Sequence, residues 1–372
     1  GTAVNAVFHL LVRHAEDLRA VAPDILSLLA DIPRFLDEGR ACLRRPVPLW
    51  TKLAVRSSTH AATFLEQTAA QIVPLVRSPA RAKRLFAGAA DAFRTYARRL
   101  EKIPTGPANG FAVGRANFEF LLRERMGTDT AAAELLAEGR RLVDSVSAEL
   151  TREARKFGRR PAHETIERLR DEWQPSAGDL LTEYRNVTAQ IKKHLGSAGL
   201  VGLPRGEKLK VIPVPDFLRE QFPTAAYSAP GPFDPDQTGI FWVNDLSKHA
   251  RNETGRRAEV AQHFGLELTC AHEAYPGHHL QFIVQNRHPS RLRRMFSHAI
   301  FYEGWTLWCE KLCIDKKIYR APHARLIQLH DALWRAQRIL VDIGLHTGGM
   351  SHAAATRHMM ENVGFTKARA AA

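Results

Sequence analysis

A mainly α protein with a small β-sheet next to a metal-binding helix is the fold this sequence predicts, on three observations. Apolar residues recur every three or four positions over about residues 1–200, and again from Ala258 nearly to the end, the spacing of one helix face. Between about Gly199 and Asn252 that spacing gives way to short apolar, partly β-branched runs bounded by Gly, Pro and Asp. Just beyond them stands His272-Glu273-Ala274-Tyr275-Pro276-Gly277-His278-His279, a dense set of metal-ligating side chains.

In the first stretch Ile25, Leu28, Leu29 and Ile32 share a helix face. So do Leu136, Leu142, Val143 and Val146, within a long segment from about Thr130 to Phe157. Breaks are expected at Pro46-Val47-Pro48, Pro104-Thr105-Gly106-Pro107 and Gln174-Pro175-Ser176. No fixed-period repeat emerges, which excludes a solenoid. Lys210-Val211-Ile212-Pro213-Val214 and Gly239-Ile240-Phe241-Trp242-Val243-Asn244 read as strands, joined by a connection that includes the loop 229–236. Pro213 has no N–H for a ladder, so the first strand belongs at a sheet edge. The histidine motif then falls on a long helix just after the sheet, the placement zinc peptidases use to hold an extended peptide. The expected organisation is a helical lobe over 1–200, and a small sheet plus metal-binding helical lobe over 201–372, packed as one continuous unit.

Composition narrows the classes. With 372 residues, 45% hydrophobic and 25% charged, the chain has the make-up of an ordinary globular protein with a large core. No stretch approaches the ~20 continuous apolar residues of a membrane helix. The formal charge is +14, but the basic residues are spread through helices without interleaved aromatics, so neither nucleic acid nor a membrane is an expected partner. Cys42, Cys270, Cys309 and Cys313 are too scattered for a disulfide framework and read as thiols of a reducing compartment. The chain opens Gly1-Thr2-Ala3 directly into helical spacing, without a signal-peptide layout. The cytoplasm is the expected location, with export left open should the N-terminus be processed or trimmed. No pattern speaks to oligomeric state.

A His-Glu pair followed by more histidine is how a helix builds a catalytic zinc site: imidazole binds the metal, and the neighbouring carboxylate takes a proton from the water that the metal acidifies. The spacing here is irregular, since His278 follows His272 by six positions instead of four. In an ideal helix, residues six apart are turned about 240° from each other, and His279 lies about 10 Å beyond His272 along the axis. Either histidine needs a distorted helix to join His272. Pro276 removes an N–H and crowds the carbonyl of His272, and Gly277 frees the backbone, so a bulge or break is expected there. A histidine-rich helix that simply stops at Pro276 is the plainer alternative.

The third ligand is expected from Tyr302-Glu303-Gly304-Trp305-Thr306-Leu307-Trp308-Cys309-Glu310, where Glu303 and Glu310 share a helix face. One carboxylate would bind zinc and the other would orient a histidine N–H. Alternatively, Glu310 is an exposed charge pairing with Lys311 or Lys317. Arg335, Arg338, Asp342 and His346 form a polar stripe on an otherwise apolar helix. Arg338 or His346 would stabilise an oxyanion or hold a substrate carboxylate; position alone favours a structural Arg338–Asp342 ion pair.

The residues His272 to Gln281 resemble the H-E-x-x-P-G-H-x-x-Q signature of the bacterial family known as domain of unknown function 885, which is treated as zinc metallopeptidases similar to gluzincins. Glu303-Gly304-Trp305-Thr306-Leu307-Trp308-Cys309-Glu310 is similar to its E-G-W-A-L-Y-x-E element, Arg338 to His346 resembles its R-x-x-V-D-x-G-x-H segment, and Gly239 to Asn244 is similar to its short strand ending in Asn. The resemblance implies a zincin-like helical metallohydrolase with one Zn2+ per chain, bound by His272, His278 and Glu303, and Glu273 as general base. It implies catalytic roles for Arg338 and His346 over the structural pair. Glu310, Asp342, His279, Asn244 and Tyr227 are expected around the site as orienting or substrate-binding groups. Thr306 and Trp308 stand where the element has Ala and Tyr, and similar members are expected to extend beyond both ends of this chain. The expected activity is zinc-dependent hydrolysis of amide, chiefly peptide, bonds. The alternatives are a small-molecule amidohydrolase on the same site, and a non-catalytic helical binding protein with a closed, structural metal.

Overall fold

The chain divides into two units in a computed structural model that describes residues 2–215, 219, 222 and 224–371. The first, within Gly1–Ala112, consists of α1 (Thr2–Arg13), α2 (Leu18–Ala41), α3 (Pro48–Ile72) and α4 (Pro79–Leu100). Proline opens both α3 and α4, where its missing N–H would have no helical partner in any case. Ile25, Leu29 and Ile32 are buried on one face of α2 as the periodicity predicts.

The second unit, Val113–Val214 with Gln221–Ala372, begins with α5 (Arg115–Met126), α6 (Ala132–Ala154), α7 (Ala162–Glu172) and α8 (Leu180–Ser197). Strands β1 (Lys208–Pro213), β2 (Ala225–Ser228) and β3 (Thr238–Val243) follow. Then come α9 (Glu253–Ala261), α10 (Leu266–Glu273), α11 (His278–Asn286), α12 (Arg291–Met295), α13 (Ala299–Asp315), α14 (Ala324–His346), α15 (His352–Val363) and α16 (Lys367–Ala371).

The division falls at 112–113, not near residue 200 as the change of sequence texture suggested. Helix α6 is the reason. Its Gly139 lies against α14 so closely that an added Cβ would sit 2.8 Å from Leu340 Cδ1. Val146 and Leu150 share one buried cluster with Leu326, Leu329 and Leu333. Each such fully buried aliphatic side chain stabilises by roughly 1.5–3 kcal/mol, which ties this part of the chain to the C-terminal helices. Leu142 was expected on the same face but is 41% exposed, because the buried stripe runs through Ala132, Gly139, Val146 and Leu150 instead.

The sheet has the order β1-β3-β2, with β1 parallel and β2 antiparallel to β3. Pro213 sits in the edge strand β1, as its missing N–H requires. Strand β2 has no alternating apolar pattern and was not anticipated. The bond from Asn244 N–H to Thr224 C=O fixes which residues pair inward. By the alternation of an antiparallel ladder, Ala225 and Tyr227 turn their backbone groups to the open edge. Beneath the sheet, Phe241 and Val243 pack with Tyr184 and Ile191 of α8 and with Cys270, Ala271 and Tyr275 around α10.

Candidate metal centre

The histidine motif is not one long helix. α10 ends at Glu273, Ala274 leaves helical geometry at φ −109°, ψ −91°, and α11 begins at His278. Pro276 has no N–H to continue the ladder. Gly277 is there because nothing larger fits: a Cβ would lie 1.8 Å from the carbonyl oxygen of His272. Trp305 of α13 donates its indole N–H to the carbonyl of Pro276 at 2.8 Å, fastening the break to the helix that carries Glu303 and Glu310.

The break brings the two histidine rings edge to face, with centroids 4.9 Å apart. Nε2 of His272 lies 3.7 Å from Glu303, and Nε2 of His278 lies 3.9 Å from it. Both distances exceed a hydrogen bond. Ligand atoms around a tetrahedral zinc, each about 2.1 Å from it, stand about 3.4 Å apart, so a small contraction would close the three donors on one ion. Ligand atoms of His272, His278 and Glu303 all lie within 4.8 Å of one another. The Glu303 side chain is 54% exposed, so the cluster opens to solvent on its side. His272 Nδ1 lies 2.8 Å from Glu310 Oε1. A proton kept on Nδ1 by Glu310 would leave Nε2 to a metal that displaces the ring's second proton, the arrangement metal-binding histidines use. Glu310 is 4% exposed and its neighbour Lys311 pairs with Asp315, so it is not a surface charge. The donor set fits a zinc-type ion.

The electrostatics point the same way. Burial lowers the affinity of His272 for a proton, but the carboxylates of Glu303 and Glu310 outweigh it and raise its pKa to about 9. Burial and the charge on His272 push His278 down to about 4. Three carboxylates thus surround two imidazoles and draw positive charge to the cluster. Burial pushes Glu273 up to about 7, against the opposing pull of His272 and of the Tyr227 N–H. That N–H donates to Glu273 Oε2 at 3.1 Å. Tyr227 therefore positions the carboxylate through its backbone, at the outward-facing edge of β2.

Two cavities border α10. One of about 560 Å³ borders its N-terminal end, between Trp173, Glu267 and His323. The other, about 680 Å³, is walled by His272, Glu273, Glu310, Asn244 and Arg335. The second is the one joined to the cluster. Asn244 is buried in its wall, its Nδ2 donating to Phe222 C=O at 3.1 Å.

The remaining expected residues lie elsewhere or act otherwise. His279 is fully buried. Its Nε2 donates to Glu207 at 2.7 Å and its Nδ1 meets the Tyr227 hydroxyl at 3.1 Å, so it touches no substrate position. No Arg338–Asp342 ion pair forms among the described residues; Arg338 lies 5.8 Å over the Trp334 ring. His346 approaches Asp342 at 3.8 Å and stacks on Phe118. The arginine with a contact to the cluster is Arg335, 3.7 Å from Glu310. Glu207, Lys192 and Trp305 were missed. Glu207 precedes β1 within Arg205-Gly206-Glu207-Lys208, where no periodicity or motif marks it.

A family model described as "Bacterial protein of unknown function (DUF885)" matches residues 1–372. No curated protein matches the sequence. Among solved structures, a candidate lipoprotein from Colwellia psychrerythraea is similar at TM-score 0.72 and 19% identity, over 94% of this chain and 64% of that one. A candidate lipoprotein of unknown function from Shewanella oneidensis is similar at TM-score 0.71 and 20% identity, over 99% of this chain and 69% of that one. This chain thus spans about two thirds of their length, and at such identity the likeness shows a shared fold. With the family model running along the whole sequence, the chain belongs to the bacterial family of unknown function DUF885.

Proposed function

We propose that this protein is a zinc-dependent hydrolase of amide bonds, acting on peptides, with a zincin-like arrangement of the site. One observation carries the reading: His272, His278 and Glu303 converge as a three-ligand set, and Glu273, next to His272 in sequence and beside it in a cavity wall, is held by a strand N–H. The ion would polarise the scissile carbonyl and acidify the attacking water. Glu273 takes that water's proton and returns it to the leaving nitrogen, a task suited by a pKa near neutrality. Glu310 fixes the His272 ring. Arg335, which meets Glu310 and lines the same cavity as Glu273, would stabilise the developing oxyanion, in place of the Arg338 that the family segment suggests.

A peptide substrate is favoured by the sheet. The outward backbone groups of Ala225 and the carbonyl of Tyr227 offer an extended chain a partner beside Glu273. Among the described residues no helix is long and apolar enough to cross a membrane. The description of both structural relatives as candidate lipoproteins supports an exported location for this protein, against the cytoplasmic expectation drawn from its thiols.

Glu273→Gln tests the reading. The variant is expected to keep about one zinc per chain while peptide turnover falls by ~10²–10⁴-fold. Full activity in a folded, metal-free protein would overturn it.

A further inference from the structure

We infer that Glu207 is a positioning residue for the metal centre, a single buried carboxylate that aims both His278 and Glu273 from outside the site. The inference rests on the metal reading above. Tyr275 and His279 stand on either side of Pro276-Gly277-His278. Both are tied to one atom, Glu207 Oε2, the Tyr275 hydroxyl at 2.6 Å and His279 Nε2 at 2.7 Å. The turn that delivers His278 is therefore held at both ends by the same oxygen. The other face of the His279 ring meets the Tyr227 hydroxyl at 3.1 Å, and the backbone N–H of Tyr227 holds Glu273.

The second Glu207 oxygen is bound by Lys192 of α8, whose ammonium also lies 5.0 Å over the Tyr275 ring. The Glu207 side chain is 4% exposed, so its bonds to Tyr275 and His279 are shielded from bulk water, and each of its contacts is charge-assisted. The sequence makes room for the cluster. A Cβ on Gly239 of β3 would lie 2.5 Å from His279 Nδ1 and 2.6 Å from the Tyr227 hydroxyl. Glu207, an acceptor, takes the Nε2–H of His279, and the Tyr227 hydroxyl meets the other ring nitrogen, so both nitrogens of this buried ring have a partner.

Loss of the Glu207 charge releases Tyr275 and His279 together and lets the turn drift, which costs the metal its pre-set second histidine. The test compares wild type, Glu207→Gln, Tyr275→Phe and Glu149→Gln. The last removes a carboxylate bound to Arg325 at 2.6 Å in the same unit, remote from the cluster, and controls for general destabilisation. Zinc affinity is read by chelator competition and ligand geometry by the visible spectrum of the Co2+-loaded protein. Glu207→Gln is expected to lose ~10–100-fold in zinc affinity with an altered Co2+ spectrum. Tyr275→Phe, which deletes only one hydroxyl and keeps the buried ring, is expected to lose several-fold, and it decides the matter should Glu207→Gln not fold. Glu149→Gln is expected to lower Tm while leaving affinity and spectrum unchanged. Wild-type affinity and spectrum in folded Glu207→Gln, or equal losses in Glu149→Gln, would overturn the inference while leaving the metal reading intact. A wild type that takes up no metal would overturn both.

Discussion

Two histidine–carboxylate clusters lie back to back in this protein, and adjacent residues feed them. His279 belongs to a closed cluster: Glu207, Tyr275 and Tyr227 join it through contacts of 2.6 to 3.1 Å, and Lys192 pairs with Glu207. His278 belongs to an open one, where Nε2 faces Glu303 at 3.9 Å and the buried Nδ1 has no hydrogen-bond partner. Its ring is oriented by packing on Phe282 and Tyr302, at 6.0 and 5.9 Å between centroids. In the closed cluster protons satisfy every charge. In the open one His272, His278 and Glu303 stand too far apart to bond one another directly, and a small contraction would let them share an ion. The same residue types thus make a hydrogen-bonded brace in one cluster and, on the function proposed above, a ligand set in the other.

The largest expected effect comes from erasing the geometry that separates the two. Gly277→Ala forces a Cβ into the His272 carbonyl, so the backbone must move. A loss above ~4 kcal/mol is expected, seen as a collapsed Tm and no metal uptake; a Tm within a degree or two of wild type would contradict the close approach. Next, the two histidines should respond in opposite ways. His278→Ala is expected to abolish the single bound ion with little loss of metal-free stability. His279→Ala strands the buried Glu207 carboxylate and is expected to destabilise by ~2–4 kcal/mol. Calorimetry of the metal-free variants with metal analysis separates them, and matching behaviour would erase the distinction.

A smaller effect is expected of Glu310→Gln, which keeps the shape beside His272 Nδ1 and removes the charge. Zinc affinity should fall ~10–100-fold, with the three ligands still in place; unchanged affinity would make Glu310 a packing residue. The smallest effect is a pH dependence of the brace. Burial alone would raise the Glu207 carboxyl, but hydrogen bonds from His279, Lys192 and Tyr275 overcome it and lower its pKa to about 2, below the ordinary value of 4.5. A depressed folded-state value stabilises fully above the ordinary carboxyl pKa, and the stabilisation drains away as pH falls from there toward 2. Urea unfolding of metal-free wild type and Glu207→Gln should therefore converge as the pH is lowered through that window. A constant gap would contradict it.

Much of this was legible because it is local. The six-residue spacing from His272 to His278, with Pro276 and Gly277 between, is a feature of backbone chemistry, and the break stands where those residues demand it. Strands β1 and β3 and the edge position of Pro213 followed from composition; the seven-residue helical offset put Glu310 on the face of Glu303 but left open whether it orients a histidine or is a surface charge, and the contact with His272 decides for the first. What stayed hidden depends on distant packing. Strand β2 is four residues of Ala, Ala, Tyr and Ser whose extended state comes from pairing with β3. Glu207 is an isolated carboxylate far from the motif it braces. His279 looks like a ligand in sequence because spacing records which way a residue faces along a helix, not what fills the space it faces. That Arg335 meets Glu310 while Arg338 lies over Trp334 likewise depends on how α14 packs, which the spacing along the helix does not record.

An anomalous-scattering map of zinc-loaded crystals tests the assignment most directly. The expected result is one strong peak about 2.0–2.2 Å from Nε2 of His272, Nε2 of His278 and the Glu303 carboxylate, with one coordination position free of protein ligands. A peak at this centre closed by four protein side chains, or none there in a well-ordered, zinc-saturated crystal, would contradict it.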